Sequence, residues 1–162
     1  MAGSRPAVQP ERVHQPKDPD FRRKVEESFA RQGIMHHLGA RLATVEPGHV
    51  GIQLPFRPEL TQQHGYFHAG SVATVADSAG GYAAFSLFPP DSTVLAVELK
   101  VNLLAPADGD LLRARGRVVR SGRTITVCEL EAEVRKAGAW TPCMVGLQTN
   151  ICLPGKPDRP AG

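Results

Sequence analysis

An apolar, alanine-rich segment near the middle of the chain most restricts what this sequence can fold into. The residues from Ala69 to Phe88 include a single charged side chain, Asp77, and the segment ends at Pro89-Pro90, which cannot continue a helix. Its length and composition predict a helix that is buried on most sides. Because a charged group is rarely buried without a partner or a task, Asp77 is the first candidate functional residue.

Alternating apolar and polar residues predict a sheet around this helix. A short helix over residues 20–31 comes first, and the predicted strands cover residues 40–46, 49–56, 94–104, 111–120, 124–135 and 140–152. One antiparallel sheet with a polar outer face can wrap around a long helix and bury it. The sequence therefore predicts an α+β fold with a long central helix and a short N-terminal helix.

The hairpin at Ser121-Gly122 gives a prediction about strand register. Folding the chain back about Gly122 places Arg115 opposite Glu129 and Arg113 opposite Glu131. Pairs of opposite charge across two strands would fix this register on the solvent face.

The ends of the chain differ from its middle. Residues 1–18 and 154–162 are rich in proline and polar residues, which predicts disordered tails on either side of one domain over residues 19–153.

The net charge of +3 is too mild to favour a nucleic-acid partner. No apolar run is long enough to span a membrane. Three cysteines without a signal peptide indicate reduced thiols and a cytoplasmic location.

The loop before the long helix carries a recognisable motif. The segment Gln62-x-x-Gly65-x-x-His68-Ala69-Gly70, then Asp77, then Val97–Asn102 and Ala105-Pro106-Ala107, resembles the hotdog-fold acyl-CoA thioesterases of the phenylacetate-pathway (PaaI-like) type. The resemblance spans roughly residues 35–152. It implies a helix enclosed by the sheet, a homodimer or tetramer with the active site at the dimer interface, and an acyl-CoA substrate. It implies no metal and no cofactor, since coenzyme A is part of the substrate.

The resemblance also implies roles for four residues. Asp77 activates water or attacks the thioester, and Gln62 orients the nucleophile or the thioester. The backbone N–H of Ala69, at the position of the usual glycine, points at the thioester oxygen, and His68 orients the loop. The chemistry is reasonable because a free N–H at a helix start stabilises the negative charge that develops on a thioester oxygen.

Further residues are predicted to contact the substrate. They are Gly70, Thr74 and Gly81 on the helix, and Arg120, Ser121, Gly122 and Arg123 in a basic turn suited to the phosphates of coenzyme A. Gly80-Gly81 provides a close helix approach across the dimer, room for the acyl group, or simply tight packing. Phe67, Tyr82 and Phe85 either line an aromatic pocket or fill the core. The Ser or Thr that often assists the carboxylate is replaced by Ala96.

The sequence thus predicts a thioesterase that hydrolyses an aromatic or medium-chain acyl-CoA to a free acid and coenzyme A. A hotdog protein that binds acyl-CoA without hydrolysis, as a sensor or carrier, is the first alternative, and a hotdog hydratase or dehydratase is the second. The four histidines His36, His37, His64 and His68 have no compact metal-ligand spacing.

Overall fold

The computed structural model describes residues 14–156 and 158–159 of the chain. The helices are α1 (Phe21–Ala30), α2 (Gly33–Leu38) and α3 (Ala69–Phe85), with a single 3-10 turn at Pro58–Leu60. The strands are β1 (Arg41–Glu46), β2 (His49–Pro55), β3 (Ser92–Leu103), β4 (Leu111–Ser121), β5 (Ile125–Lys136) and β6 (Ala139–Pro154).

The six strands form one antiparallel sheet around α3. Their order is β1-β2-β4-β5-β6-β3, so β1 and β3 are the two edges. The helix contacts five strands, β2 to β6, and most of its side chains are fully buried. The predicted α+β hotdog fold, with a sheet wrapped around a long central helix, is confirmed.

The central helix begins where predicted and ends three residues early. His68 is its N-cap, and the last helical residue is Phe85 rather than Phe88. The next residues form tight i→i+3 turns, in which Leu87 N–H donates to Ala84 O and Phe88 N–H to Phe85 O. Lys24 of α1 then donates to Phe88 O at 2.9 Å, so a side chain from another helix closes this end.

The second helix, α2, is absent from the sequence prediction. The sequence predicted no helix between residue 31 and the first strand, but Gly33 is the first residue of α2, and the extended backbone of Gln32 separates the two helices. The second helix stops at Gly39, whose φ of 76° is the left-handed conformation that glycine adopts at helix ends. A six-residue helix is too short to show the periodicity on which helix prediction depends.

The register of the β4–β5 hairpin was predicted wrongly by two residues. Arg115 lies opposite Glu131 rather than Glu129, and Arg113 lies opposite Glu133. The turn is centred between Arg123 and Thr124 rather than at Gly122, since Ser121 pairs with Thr126, and a β-bulge between Val118 and Arg120 reduces the resulting offset from three residues to two. Opposite charges still line the two strands, with Arg115 at 3.3 Å from Glu131 and 3.2 Å from Glu133.

The domain extends beyond the predicted boundaries, because part of each predicted tail packs on it. His14 Nε2 is 3.2 Å from Val118 O, and the buried carboxylate of Asp18 is 3.2 Å from Lys24 Nζ. Near the other end, Asp158 lies 2.8 Å from the Arg31 guanidinium. Residues 1–13, 157 and 160–162 lie outside the described residues.

Candidate active site

The N-terminus of α3 presents an unbonded backbone N–H. His68 Nδ1 accepts a hydrogen bond from Gly70 N–H at 2.8 Å, and His68 N–H donates to Leu60 O, so the loop is held firmly to the helix start. The N–H of Ala69 has no hydrogen-bond partner among the described residues. Since Ala69 has no positive φ, alanine can occupy this position without backbone strain.

A cavity of about 460 Å³ opens beside this helix start. It brings together two of the predicted site residues, Gln62 and Ala69. Its other lining residues are mostly apolar and include Tyr66, Phe67, Val72, Leu103, Leu104 and Pro106. The Gln62 side chain accepts a hydrogen bond from His64 N–H, and Gly65, with φ of 81°, closes the tight loop between Gln62 and Tyr66. An apolar cavity lined by Ala69, a residue whose N–H has no partner among the described residues, suits a thioester with an apolar acyl group.

Asp77 lies on the same helix but not in this cavity. Eight residues separate Ala69 from Asp77, which corresponds to about 12 Å along the helix axis. The Asp77 carboxylate is half-buried, and burial raises its pKa above the usual value. Within one chain, therefore, Ala69 and Asp77 cannot both contact the same carbonyl group.

The carboxylate of Asp77 is held by a residue that the sequence analysis missed. Gln148 Nε2 donates to Asp77 Oδ1 at 2.6 Å and to Asp77 O at 3.0 Å. Asn150 Nδ2 in turn donates to Gln148 Oε1 at 3.0 Å. Gln148 and Asn150 are almost fully buried, at 1 % and 0 % exposure. The three side chains form one polar chain inside the domain.

A pattern in β6 could have revealed these two residues. Met144, Gln148, Asn150 and Cys152 occupy alternate positions on the strand, and all four are buried. Two amides in phase with buried apolar residues must find hydrogen-bond partners inside the protein. Such residues are therefore candidates for a site, although the sequence alone does not say which group they contact.

No described hydroxyl takes the place of the missing Ser or Thr. Ala96 pairs with Asn150 in the β3–β6 ladder, so the expected helper position lies next to the polar chain. Thr74 donates instead to Gly70 O at 2.7 Å, and Ser78 donates to Gln32 Oε1 at 3.1 Å.

The two glycines of α3 have different surroundings. A Cβ added to Gly80 would lie 2.1 Å from Gln148 Oε1, whereas one added to Gly81 would meet only Asn150 Oδ1, at 4.0 Å. Within the chain, tight packing against β5 and β6 accounts for Gly80, because Leu130 Cδ2 would also lie 2.5 Å away.

The basic turn lies at the end of the β4–β5 hairpin. Gly122 N–H donates to Ile125 O at 2.8 Å, and Ser121 Oγ accepts from Thr126 Oγ1 at 3.3 Å. Arg120 and Arg123 are exposed and form no ion pair with any described residue. Their charges are therefore available to an anion.

The three aromatic candidates separate into two groups. Phe67 lines the cavity, whereas Tyr82 and Phe85 are buried in the core at 4 % and 0 % exposure.

Cys143 also reaches the cavity wall, but burial raises the pKa of its thiol to about 11, which keeps it protonated and poorly nucleophilic at neutral pH.

The described residues contain no group of three His, Cys, Asp or Glu side chains that could hold a metal ion. In the described part of the chain, no helix has the length and apolar character needed to cross a membrane.

Comparisons with known proteins agree with this geometry. The Thioesterase superfamily model matches residues 64–139, from the site loop to the β5–β6 turn. The crystal structure of a thioesterase family protein from Silicibacter pomeroyi superposes with a TM-score of 0.82 at 47 % identity, covering 83 % of this chain and 99 % of that one. The chain belongs to the thioesterase superfamily.

One relative and one solved structure are similar to this chain at lower identity. The 1,4-dihydroxy-2-naphthoyl-CoA hydrolase of Listeria monocytogenes is 27 % identical over 61 % of this chain and 80 % of its own length. The E. coli PaaI protein of the phenylacetic acid degradation operon has a TM-score of 0.70 at 19 % identity, covering 83 % of this chain and 96 % of that one. At this identity, the similarity to PaaI shows that the two proteins share a fold.

Proposed function

We propose that the protein hydrolyses an acyl-CoA thioester to a free acid and coenzyme A, at a site shared by two copies of the chain. The free N–H of Ala69 on the wall of an apolar cavity is the observation that carries this proposal. A donor fixed at a helix start stabilises the negative charge on the thioester oxygen without rearrangement during the reaction. Asp77 of the second copy acts as base or nucleophile, and Gln62 orients the water or the thioester.

The separation of Ala69 from Asp77 supports a shared site. β3 is an edge strand whose outer side has no partner among the described residues. Leu95, Val97 and Leu99 on this strand are 56 %, 56 % and 41 % exposed. An exposed apolar edge strand is usually covered, and an identical strand from a second copy would continue the sheet. Such a pairing would bring residues of the two subunits together near β3.

The cavity lining supports an aromatic acyl group. Tyr66 and Phe67 contribute rings to the wall, and Leu103, Leu104 and Pro106 add apolar surface. The Listeria relative is named for an aromatic acyl-CoA. A medium-chain acyl group fits the same apolar surface and is the alternative outcome of a substrate panel.

The unpaired arginines support binding of the coenzyme A phosphates. Arg123→Ala should raise KM for acyl-CoA much more than for the matching pantetheine thioester, which lacks the nucleotide. Equal effects on both substrates would refute this role. Arg113→Ala is a matched control, because that arginine is already paired with Glu133.

A substitution at Ala69 tests the proposed role of its N–H. Ala69→Pro removes only this N–H, because proline is well tolerated at the first position of a helix and the extended backbone of His68 is compatible with a following proline. We expect kcat to fall by about 100- to 1000-fold in a thiol-release assay, with the fold intact. Ala69→Gly keeps the N–H and is the control. Similar turnover in both variants would refute the assignment.

Mixing two inactive variants tests the shared site. Asp77→Asn and Gln62→Ala subunits should each be nearly inactive, but a mixed dimer contains one site with both native residues. After subunit exchange, about one quarter of the wild-type activity should return, because half of the dimers are mixed and each has one native site of two. If each site belonged to one chain, mixing would restore nothing.

A further inference from the structure

We infer that Gln148 is the residue that positions the Asp77 carboxylate for reaction, and that Asn150 holds the Gln148 amide in its donating orientation. The inference rests on the proposed function. It assigns to Gln148 on β6 the task of assisting the Asp77 carboxylate. A Ser or Thr at the position of Ala96 on β3 often performs this task, but this chain has no hydroxyl there.

The hydrogen bonds fix one orientation for each amide. Gln148 uses Nε2 for both contacts with Asp77 and presents Oε1 to Asn150. A flipped Gln148 amide would place its oxygen against the Asp77 carboxylate and its NH₂ against the NH₂ of Asn150. Since Asn150 Nδ2 also contacts Cys128 Sγ at 3.8 Å, the chain of side chains continues to β5. Each amide therefore limits the orientation of the next.

Burial makes the arrangement rigid. Gln148 and Asn150 are shielded from water, so neither amide can exchange its partner for solvent without leaving a buried polar group unsatisfied. Asp77 is only half-buried, so one carboxylate oxygen is held by Gln148 while the carboxylate keeps an open side. This is the geometry that a positioned base or nucleophile requires.

The helix is shaped to accept Gln148. Gln148 Oε1 occupies the space that a Cβ on Gly80 would need, at 2.1 Å from the ideal Cβ position. A glycine in the middle of a helix is unfavourable, so its presence at this position needs a reason. The reach of the Gln148 side chain toward Asp77 supplies that reason independently of the hydrogen bonds.

No ion pair takes over the role of Gln148. The pKa of Asp77 is raised by burial and lowered in part by the Gln148 hydrogen bond, with no contribution from a charged neighbour. Among elements packed on α3, β5 presents the Cys128 thiol, whose pKa burial raises to about 12, and α1 presents Lys24, which is held by Asp18. Tyr82 lies on α3 itself. On β4 and β5, the charged residues alternate with buried positions and face away from the helix, as for Arg113, Arg115, Arg117, Glu129, Glu131 and Glu133. On β3, Glu98 and Lys100 pair with Thr149 and Leu147, which are out of phase with the buried Gln148 and Asn150, so they also face away.

The test replaces the donor while keeping the length of the side chain. Gln148→Met has no N–H to donate, and Gln148→Glu keeps the shape but offers only oxygen atoms to Asp77 when ionised. The pKa of Asp77 is read by carboxyl-carbon NMR of the full chain selectively labelled at aspartate. We expect this pKa to rise by about one to two pH units in Gln148→Met, because a hydrogen bond to the charged form is lost. In Gln148→Glu the two carboxyl groups should titrate as a coupled pair, with one pKa raised above the wild-type value.

Kinetics give the second readout. In Gln148→Met, the acid limb of the kcat/KM profile should move to higher pH by the same amount, and kcat should fall by about 100-fold with little change in KM. Asn150→Val should move the acid limb and lower kcat in the same directions, but by smaller amounts. Ser86→Ala is the control, because it removes a different buried polar group of the core without touching Asp77. That group is the Ser86 hydroxyl, which accepts a hydrogen bond from Gly48 N–H.

The outcomes separate this inference from the proposed function. An unchanged Asp77 pKa in both Gln148 variants, or kinetic losses no different from those of Ser86→Ala, would overturn it. If the wild-type protein hydrolysed no acyl-CoA, the proposed function would fail, and the NMR titration would still decide whether Gln148 controls Asp77. A variant that fails to fold is replaced by the other Gln148 substitution, which places different demands on the site.

Discussion

The adjacent glycines of α3 allow a prediction in which two nearly identical substitutions have opposite effects. An alanine in the middle of a helix is more stable than a glycine by about 1 kcal/mol. Gly81→Ala should gain this amount, because the new methyl group would meet only Asn150 Oδ1, at van der Waals distance. Gly80→Ala should lose stability, because its methyl group would overlap Gln148 Oε1 and Leu130 Cδ2.

The size of the loss follows from what must move. Forcing a methyl group into a packed core costs about 1 to 3 kcal/mol. Displacing Gln148 breaks its hydrogen bonds to Asp77 and Asn150, and an unsatisfied buried amide costs about 1 to 3 kcal/mol more. After the gain of about 1 kcal/mol in helix propensity is subtracted, the net destabilisation is about 3 kcal/mol.

Urea unfolding followed by far-UV circular dichroism measures both effects. With a slope of about 2 kcal/mol per molar urea, the midpoints of the two variants should differ by about 2 M. All samples need the same protomer concentration, because association contributes to apparent stability. If Gly80→Ala were as stable as Gly81→Ala, Gln148 would not occupy the space beside Gly80, and the proposed positioning of Asp77 would lose one of its two supports.

Four further predictions concern the site and the core. Asp77→Asn should reduce kcat by at least about 100-fold in a thiol-release assay, and near-normal turnover would refute the role of Asp77. The same variant should unfold at higher urea than wild type at neutral pH. Burial raises the pKa of this carboxyl, so the folded state disfavours its charge, and the advantage should disappear as the pH falls below that pKa. The kcat/KM of wild type should fall in acid with a midpoint above the usual aspartate pKa of about 3.9, and a midpoint below it would contradict the effect of burial. Gly116→Ala should destabilise by more than about 3 kcal/mol in the same urea assay, because its methyl group would lie 2.4 Å from Ala79 O in the backbone of α3, which cannot move aside, and a loss below 1 kcal/mol would contradict this.

The sequence was informative about the fold because its local signals agree. The apolar segment after Ala69, the prolines after Phe88 and the alternating strands all favour the same arrangement of a sheet around a helix. Its errors lie where a signal is too short or depends on irregular geometry. The six residues of α2 show no periodicity, and the β4–β5 turn is centred beyond the Ser121-Gly122 dipeptide from which the register was predicted.

The site was less predictable, for a physical reason. A motif indicates which backbone N–H and which carboxylate matter, but the groups that orient them come from strands far away in sequence. Gln148 is 71 residues from Asp77 and belongs to no local motif. Its importance appears only when β6 is placed beside α3, because only then does the buried amide acquire a partner.

The position of Gln148 also links the stability of the domain to its chemistry. A half-buried carboxylate, two buried amides and a helix glycine each disfavour folding when considered separately. Asp77 accepts from Gln148, Gln148 accepts from Asn150, and Gly80 makes room for the contact, so the unfavourable groups are grouped at one place in the core. Where several local rules are broken together and compensate one another, the arrangement is best explained by function. The same reasoning points to the Asp77 carboxylate through its partners Gln148 and Asn150 on β6, which belong to no motif.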